Sequence, residues 1–479
     1  MIGNLFGLKK QIFWLLAGMI VGSVGLWLTR EVEPTVAILG LAIIWVALLP
    51  GLLYLQGIDR SPIPFFPLVG VFYTVFFGLP VFLVSLVPMR NSEIILYNKI
   101  TIENIDPKVL MIVLGGIVAM EAAYFGIKWW PLNKMPRFRL DTANNPNTLN
   151  ILYWFLALIH FAYELAPVIG SITSLGQIAG PVIYLALGGL FLQWRADRLP
   201  QFQIILLFAV AIPLTIFIQF SGFLITPLLL LLLFAVLVCW REHLKKTLSV
   251  LVVASLVIVL LYDFTSQLRT AQIERTEIPK VLGKAFMEVT IKGGNKITIE
   301  NGRKIVFSDG RFKPIVHRIS QIWVLHAVYD KTPVDVPYWE GETYLPLLTS
   351  FIPRVLYPDK PLEQTGYKFG ARYGFLNSNN TEDTSVNLPW LVEFYANFGI
   401  QGVLIGMSLI GVLLAFLDRV FNAQKMNDLE FVFGTTLIFT LIYPESNLSV
   451  MTGSMLPLFV VLYVYFRLGA LVLSRMLSR

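Results

Sequence analysis

The sequence predicts an all-α polytopic membrane protein of about twelve transmembrane helices, with one large extracytoplasmic segment containing a small β-meander. Three observations carry that prediction. Hydrophobic residues make up 56% of the 479 positions against 14% charged, and the mean hydropathy is +0.70. A soluble chain of this length cannot hide so much apolar surface, so a bilayer has to serve as solvent. Apolar runs long enough to cross ~30 Å of hydrocarbon recur along the chain, and basic residues gather in the short loops on one side of them.

The runs fall near 12–28, 35–55, 65–87, 109–127, 149–163, 179–194, 203–220, 223–240 and 248–264, then near 399–417, 430–442 and 455–472. Lys9 and Lys10 precede the first as they would in a signal peptide, but no small-x-small cleavage site follows, so an uncleaved first helix is expected. With the N-terminus in the cytoplasm, the inside loops hold Lys128, Lys134, Arg137 and Arg139, then Arg195 and Arg198, then Arg241, Lys245 and Lys246. Arg419, Lys425, Arg475 and Arg479 also fall inside. The short outside loops carry fewer cations, balanced by acids such as Glu31, Glu33, Glu93, Glu103 and Asp106. Both termini are therefore expected in the cytoplasm, with 265–398 outside. The net charge of +7 needs no nucleic-acid partner, because the positive-inside bias accounts for it. Cys239 is the single cysteine, so the exported segment must fold without a disulfide of its own.

Three regions follow: N-terminal transmembrane helices over 1–264, the extracytoplasmic segment 265–398, and C-terminal transmembrane helices over 399–479. The segment is too long and too patterned for a connector. Residues 289–307 alternate apolar and polar positions, are interrupted at Gly293-Gly294-Asn295 and Asn301-Gly302, and close on Asp309-Gly310, which reads as the β-meander. Residues 314–329 return to helical spacing through Ile315, Ile319, Ile322 and Trp323. From 333 to 387 the chain is rich in Pro, Gly, Asn and aromatics.

The densest polar constellation runs from Tyr338 to Gly402. Pro353, Pro358 and Pro361 bracket Arg354, Asp359 and Lys360, restricting the backbone and lowering the entropy cost of holding charges in place. Gly366, Lys368, Phe369, Gly370 and Arg372 follow, then Asp383-Thr384-Ser385 and Glu393-Phe394-Tyr395-Ala396-Asn397-Phe398-Gly399. Glu393 falls where the chain enters the next span, at the edge of low dielectric. Cations beside such a carboxylate suit a substrate with a phosphate leaving group and a hydroxyl to be deprotonated. The same residues also fit a loop lying on the bilayer, with Arg354, Lys360 and Arg372 on lipid headgroups and Asp359 merely paired with a neighbouring cation.

Other candidates are His326, a base on an amphipathic stretch where packing is the commoner role, and Arg318, whose charge cannot be lost. Glu121 and His160 lie inside spans, where a satisfied helix–helix hydrogen bond competes with function, and Glu164 near a helix end is similar. There is no Walker A loop, HExxH or CxxC spacing, and no Asp-x-Asp pair in the exported segment, so no metal or cofactor is expected.

The string Ile352-Pro353-Arg354-Val355-Leu356-Tyr357-Pro358-Asp359-Lys360-Pro361 resembles the signature of Wzy-type oligosaccharide repeat-unit polymerases. So do Gly366, Phe369-Gly370, Thr384-Ser385 and the 393–399 stretch running into a span through Gly402. Gln219-Phe220-Ser221-Gly222-Phe223 is similar too, although many relatives carry arginine where Phe223 stands. The specific match covers about the last third of the chain.

The resemblance implies a metal-independent, inverting glycosyltransferase of the membrane-embedded GT-C class. Such enzymes polymerise undecaprenyl-diphosphate-linked repeat units into O-antigen or exopolysaccharide on the outer face of the cytoplasmic membrane. Donor and acceptor are both lipid-linked glycans held among membrane lipids, with a chain-length regulator and a flippase as candidate partners. On that reading Arg354, Lys360 and Arg372, helped by Arg318, stabilise the departing diphosphate. Glu393 leads as base, with Asp383 and His326 behind it. Asp359 orients Arg354 or Lys360, and Tyr344, Tyr357 and Tyr395 stack on sugar rings. Competing expectations are an O-antigen-ligase-like transferase, a lipid-linked-oligosaccharide flippase or other transporter, and an assembly scaffold.

Overall fold

The computed structural model describes residues 2–83 except Glu31 and Arg60, then 105–130, 137–140, 146–170, 173–221, 296–298, 304–306, 316, 318–350, 352, 357, 359–360, 364–376, 385–422, 426–442, 444–453 and 455–477. In chain order its elements begin with α1 (Ile2–Leu28), α2 (Pro34–Leu55), α3 (Phe65–Tyr73, continued by a π-helical turn Thr74–Gly78 and by Pro80–Leu83) and α4 (Pro107–Trp129). Next come α5 (Pro146–Leu165), α6 (Thr173–Arg195) and α7 (Gln201–Ile205, running on through Leu206–Ala211 and Ile212–Ser221). Strands β1 (Lys296–Thr298) and β2 (Lys304–Val306) precede α8 (Gln321–Lys331), α9 (Thr365–Arg372), α10 (Trp390–Phe421), α11 (Asp428–Phe439), α12 (Leu448–Gly453) and α13 (Met455–Leu477).

The described fold is helical, and 8 helices are long and apolar enough to cross a membrane. They are α2 to α7, α10, and α12 with α13 taken together. The expected spans at 223–240 and 248–264 lie outside the described residues. The expected span at 430–442 is corrected: α11 has 12 residues, about 18 Å of helix, and does not cross by itself. Of the expected meander, the described residues form one two-stranded antiparallel hairpin, with Lys296 opposite Val306 and Thr298 opposite Lys304.

Two compact units divide the chain: Met1–Thr142, Ile172–Ile178 and Ile319–Arg479 form one, and Ala143–Ser171 and Ala179–Arg318 the other. This grouping cuts across the boundaries at 264 and 398. The first unit gathers α1 to α4, the polar segment from Ile319 onward and the C-terminal helices.

Its centre is the pair α4 and α10. Pro107 starts α4 where a missing N–H costs nothing, and the Asp106 side chain caps it by accepting from Lys108 N at 2.8 Å. Gly116 lies against Val403 and Met407, Gly411 against Met120, and Tyr124 and Lys128 against Asp418. The contacts advance together along both chains, so the helices run parallel. If both cross, an odd number of crossings separates them, as the five expected spans between them require. Lipid offers no hydrophobic drive between helices, so close packing over small residues has to hold such a pair. The opposite face of α10 presents Ile405 and Leu409, 63% and 64% exposed, as a lipid-facing surface would.

In the second unit, α5 is tied to its neighbours by polar contacts. Asn150 Nδ2 donates to Arg198 O, Trp154 Nε1 donates to Gln203 Oε1, and His160 Nδ1 lies 2.8 Å from Ala179 O.

Candidate functional site

The site is built on a break in α10. As one straight helix its 32 residues would run about 48 Å, well beyond a bilayer core. Phe398 and Gly399 leave helical geometry, with Gly399 at φ +63, a left-handed value that favours glycine. The chain turns back so sharply that the Phe394 ring packs directly on Gly406, where any side chain would collide with it. A short helix, 390–397, therefore precedes the long apolar helix that begins after Gly399.

A break frees backbone groups that lipid cannot satisfy, and the polar segment supplies partners for them. Trp339 N donates to Ala396 O, whose helical partner the break removes. Asn397, fully buried, accepts from Gly341 N and donates to Thr343 Oγ1 and to Glu393 O, each at 2.8 Å. Gly341 follows Glu340 in a left-handed turn that aims its N–H at that amide. The loop 338–344 is thus pinned to the short helix by backbone and amide bonds. Tyr344 lays its ring against Phe394 and Phe398. Burial pushes its phenol well above the usual range and the nearby Glu393 carboxylate adds to this, while Thr343 and Asn397 pull the other way.

Glu393 sits at the centre of this junction with no exposed surface. Its Oε2 accepts from Leu448 N at 2.8 Å, fixing the start of α12. The turn before α12 carries a second buried polar group. Glu445, Asn447 and Ser449 are each buried, Asn447 Nδ2 donates to Ser449 Oγ, and Asn387 Nδ2 donates to Glu445 Oε1. From the other side, Lys360 Nζ donates to Ser350 O and Ile352 O at 2.8 and 3.1 Å. Ser350 in turn packs on Gly453 at the end of α12. Helix α12 therefore lies between the carboxylate of Glu393 and the turn that Lys360 holds.

Arg372 lies at the rim. Its guanidinium stacks 4.4 Å above the Trp339 ring, donates to Pro337 O and approaches Glu342 at 3.8 Å, where Lys368 also reaches. Asp359 and Tyr357 are exposed, and Lys360 turns to carbonyls rather than to Asp359. Tyr395 is buried on the short helix with its ring 5.9 Å from Tyr329. His326, on α8, is buried beside Trp323 with Nε2 3.6 Å from Asp330. Burial holds its imidazole below the ordinary range, against the upward pull of Asp330 and Asp106. Arg354 and Asp383 lie outside the described residues, and Arg318 belongs to the second compact unit.

Sequence reading thus located Glu393, Lys360, Arg372 and Tyr344 in one unit, and it missed the roles of Asn397, Asn387 and Glu445. A signal for the last was available: Pro444-Glu445-Ser446-Asn447 is a polar insert between two apolar runs. No group of three metal-ligating side chains occurs among the described residues.

Residues 131–467 match the family described as Domain of unknown function (DUF8712). The chain belongs to this family. The matched stretch holds every site residue from Trp339 to Ser449, while α2, α3 and α4 precede it. No curated protein and no solved structure matches the chain.

Proposed function

We propose that this DUF8712 protein polymerises undecaprenyl-diphosphate-linked oligosaccharide repeat units on the outer face of the cytoplasmic membrane. The observation that carries the reading is the buried carboxylate of Glu393 on a broken membrane helix, with Lys360 anchored across α12 and Arg372 at the rim. Irregular backbone at membrane depth is tolerated where it lines a cavity or is covered by protein, and broken helices often mark binding sites there. The 352–361 signature supplies the link to repeat-unit polymerases.

In the proposed reaction a hydroxyl oxygen of the acceptor glycan attacks the anomeric carbon of the donor. A new C–O bond forms as the bond to the diphosphate breaks, and the electron pair leaves on the diphosphate. Arg354, Lys360 and Arg372 offset that growing charge. Glu393 takes the hydroxyl proton, with the turn at Leu448 drawing back to admit the acceptor. Both termini are placed in the cytoplasm on the charge pattern of the loops.

The test gives the purified protein lipid-linked repeat units and looks for a ladder of longer products. Glu393→Gln keeps an acceptor for Leu448 N but removes the base, and should slow the ladder about a hundredfold or more. Arg354→Ala should do the same while the protein remains in the membrane. Full activity in both variants would sink the site assignment. Single transfers onto another lipid would point to a ligase, and no transfer at all would point to transport or scaffolding.

A further inference from the structure

Burying a carboxylate at the edge of a membrane domain costs several kcal/mol unless hydrogen bonds offset it. Glu393 has such a bond from Leu448 N. Glu445, 4% exposed, is a second buried carboxylate, on the turn that carries Leu448, and it accepts from the side-chain amide of Asn387. Ionised, a carboxylate only accepts, so it dictates which way that amide faces: Nδ2 toward Glu445 and the carbonyl Oδ1 away. Asn387 itself is half-buried, and so is Ser446, whose Oγ lies 3.4 Å from Asn447 Oδ1. Among the described residues Glu445 is the one partner of the Asn387 side chain. Asn387 thus presents an amide whose direction a buried carboxylate fixes, and the turn that carries Glu445 also carries the half-buried hydroxyl of Ser446. Fixed amide acceptors and hydroxyls of this kind recognise ligands that are themselves dense in hydroxyls, such as sugars.

We infer that Asn387 binds a sugar hydroxyl of the substrate glycan through Oδ1, and that Glu445 is the positioning residue that orients it. This rests on the proposed reading of the site as one for lipid-linked glycans. The protein in nanodiscs is given lipid-linked glycan extracted from cells lacking its gene, with bare undecaprenyl diphosphate as control, and binding is measured alongside the ladder reaction. Asn387→Ala and the nearly isosteric Glu445→Gln should each weaken glycolipid binding about tenfold, leaving affinity for the bare carrier unchanged. In the ladder reaction both should raise KM about tenfold with kcat within about twofold, a split that a purely structural defect would not produce. Unchanged glycolipid affinity in both variants overturns the inference, as does an equal loss for the bare carrier. Wild-type protein with no preference for glycolipid overturns it too. Glycan binding that depends on Asn387 without any ladder would sustain it and overturn the polymerase reading alone.

Discussion

The two ends of the α4–α10 pair solve the problem of polar groups beside a membrane in opposite ways. At the C-terminal end, Lys128 Nζ meets Asp59 at 2.7 Å, Asp418 at 2.6 Å, Ser61 Oγ at 2.9 Å and Tyr124 Oη at 3.0 Å. Asn422 donates to the other oxygen of Asp418 and exchanges two bonds with the backbone of Ile63, and Arg419 ties down the carbonyls of Lys128 and Trp130. Charge there meets charge in short, nearly enclosed contacts that join α4 and α10 to the loop before α3. At the N-terminal end the bonds run instead between amides, backbone groups and single carboxylates, over a broken helix and irregular loops. Of the cations there, Lys360 and Arg372 hold carbonyls and Arg372 also stacks on an aromatic ring, while the contacts of Arg372 and Lys368 with Glu342 are long and solvent-exposed. A saturated ion cluster has little left to offer a ligand. The junction around Glu393 keeps the half-buried amide of Asn387 and rim cations, which is why the proposed function is placed at that end and fastening at the other.

The comparison breaks first at Lys128. Replacing it with Met leaves Asp59 and Asp418 facing each other with no cation between them, and removing one partner of a buried pair typically costs about 3–5 kcal/mol. Thermal unfolding in detergent should show that loss, and adding Asp418→Asn to the Met variant should recover part of it. Stability unchanged in the single variant would mean that the cluster does not fasten the helices.

At the other end, Gly399→Ala tests the broken helix. The left-handed φ disfavours alanine, and an added Cβ would come within 2.8 Å of Tyr338 Oη. The cost should be about 1–3 kcal/mol, smaller than at Lys128 and local. Hydrogen exchange should quicken at the Trp339 and Gly341 amides, whose acceptors sit on the short helix. Protection lost evenly over α4 and α10 would show instead that the break belongs to the general scaffold.

How much of this was legible in the sequence depended on what kind of bond was involved. Hydropathy finds spans because a membrane helix must be apolar along its whole length, and α2 to α7 stand close to where the runs put them. It overestimates 430–442, since Asp428–Phe439 is apolar through packing in the protein rather than by length. The helix break at Phe398 and Gly399 falls where the sequence reading begins a span, just past the acidic and amide residues that are unsuited to hydrocarbon. That Asn397 joins Gly341 and Thr343 to the short helix was not legible, because those partners lie over fifty residues away on a loop without periodicity. Lys128 read as an ordinary loop cation for the same reason: nothing local marks Asp59 and Asp418 as its partners.

The smallest expected effect concerns His326, which packs at the N-terminal end of the pair. Burial lowers its pKa from the ordinary 6.5, outweighing the upward pull of Asp330 and Asp106. The folded protein therefore disfavours the charged imidazole. Above 6.5 the histidine is neutral in both states and costs nothing. As pH falls below that value the unfolded chain takes up a proton that the folded one resists, and stability declines until the folded imidazole also titrates. Unfolding temperature measured between about pH 7.5 and 5 should fall on the acid side, and His326→Gln should flatten part of that slope. A wild-type slope of the opposite sign that vanishes in His326→Gln would mean that Asp330 and Asp106 win over burial. His326 would then act as a cation tying α8 to the cap of α4, and charge pairing would fasten the N-terminal end as well.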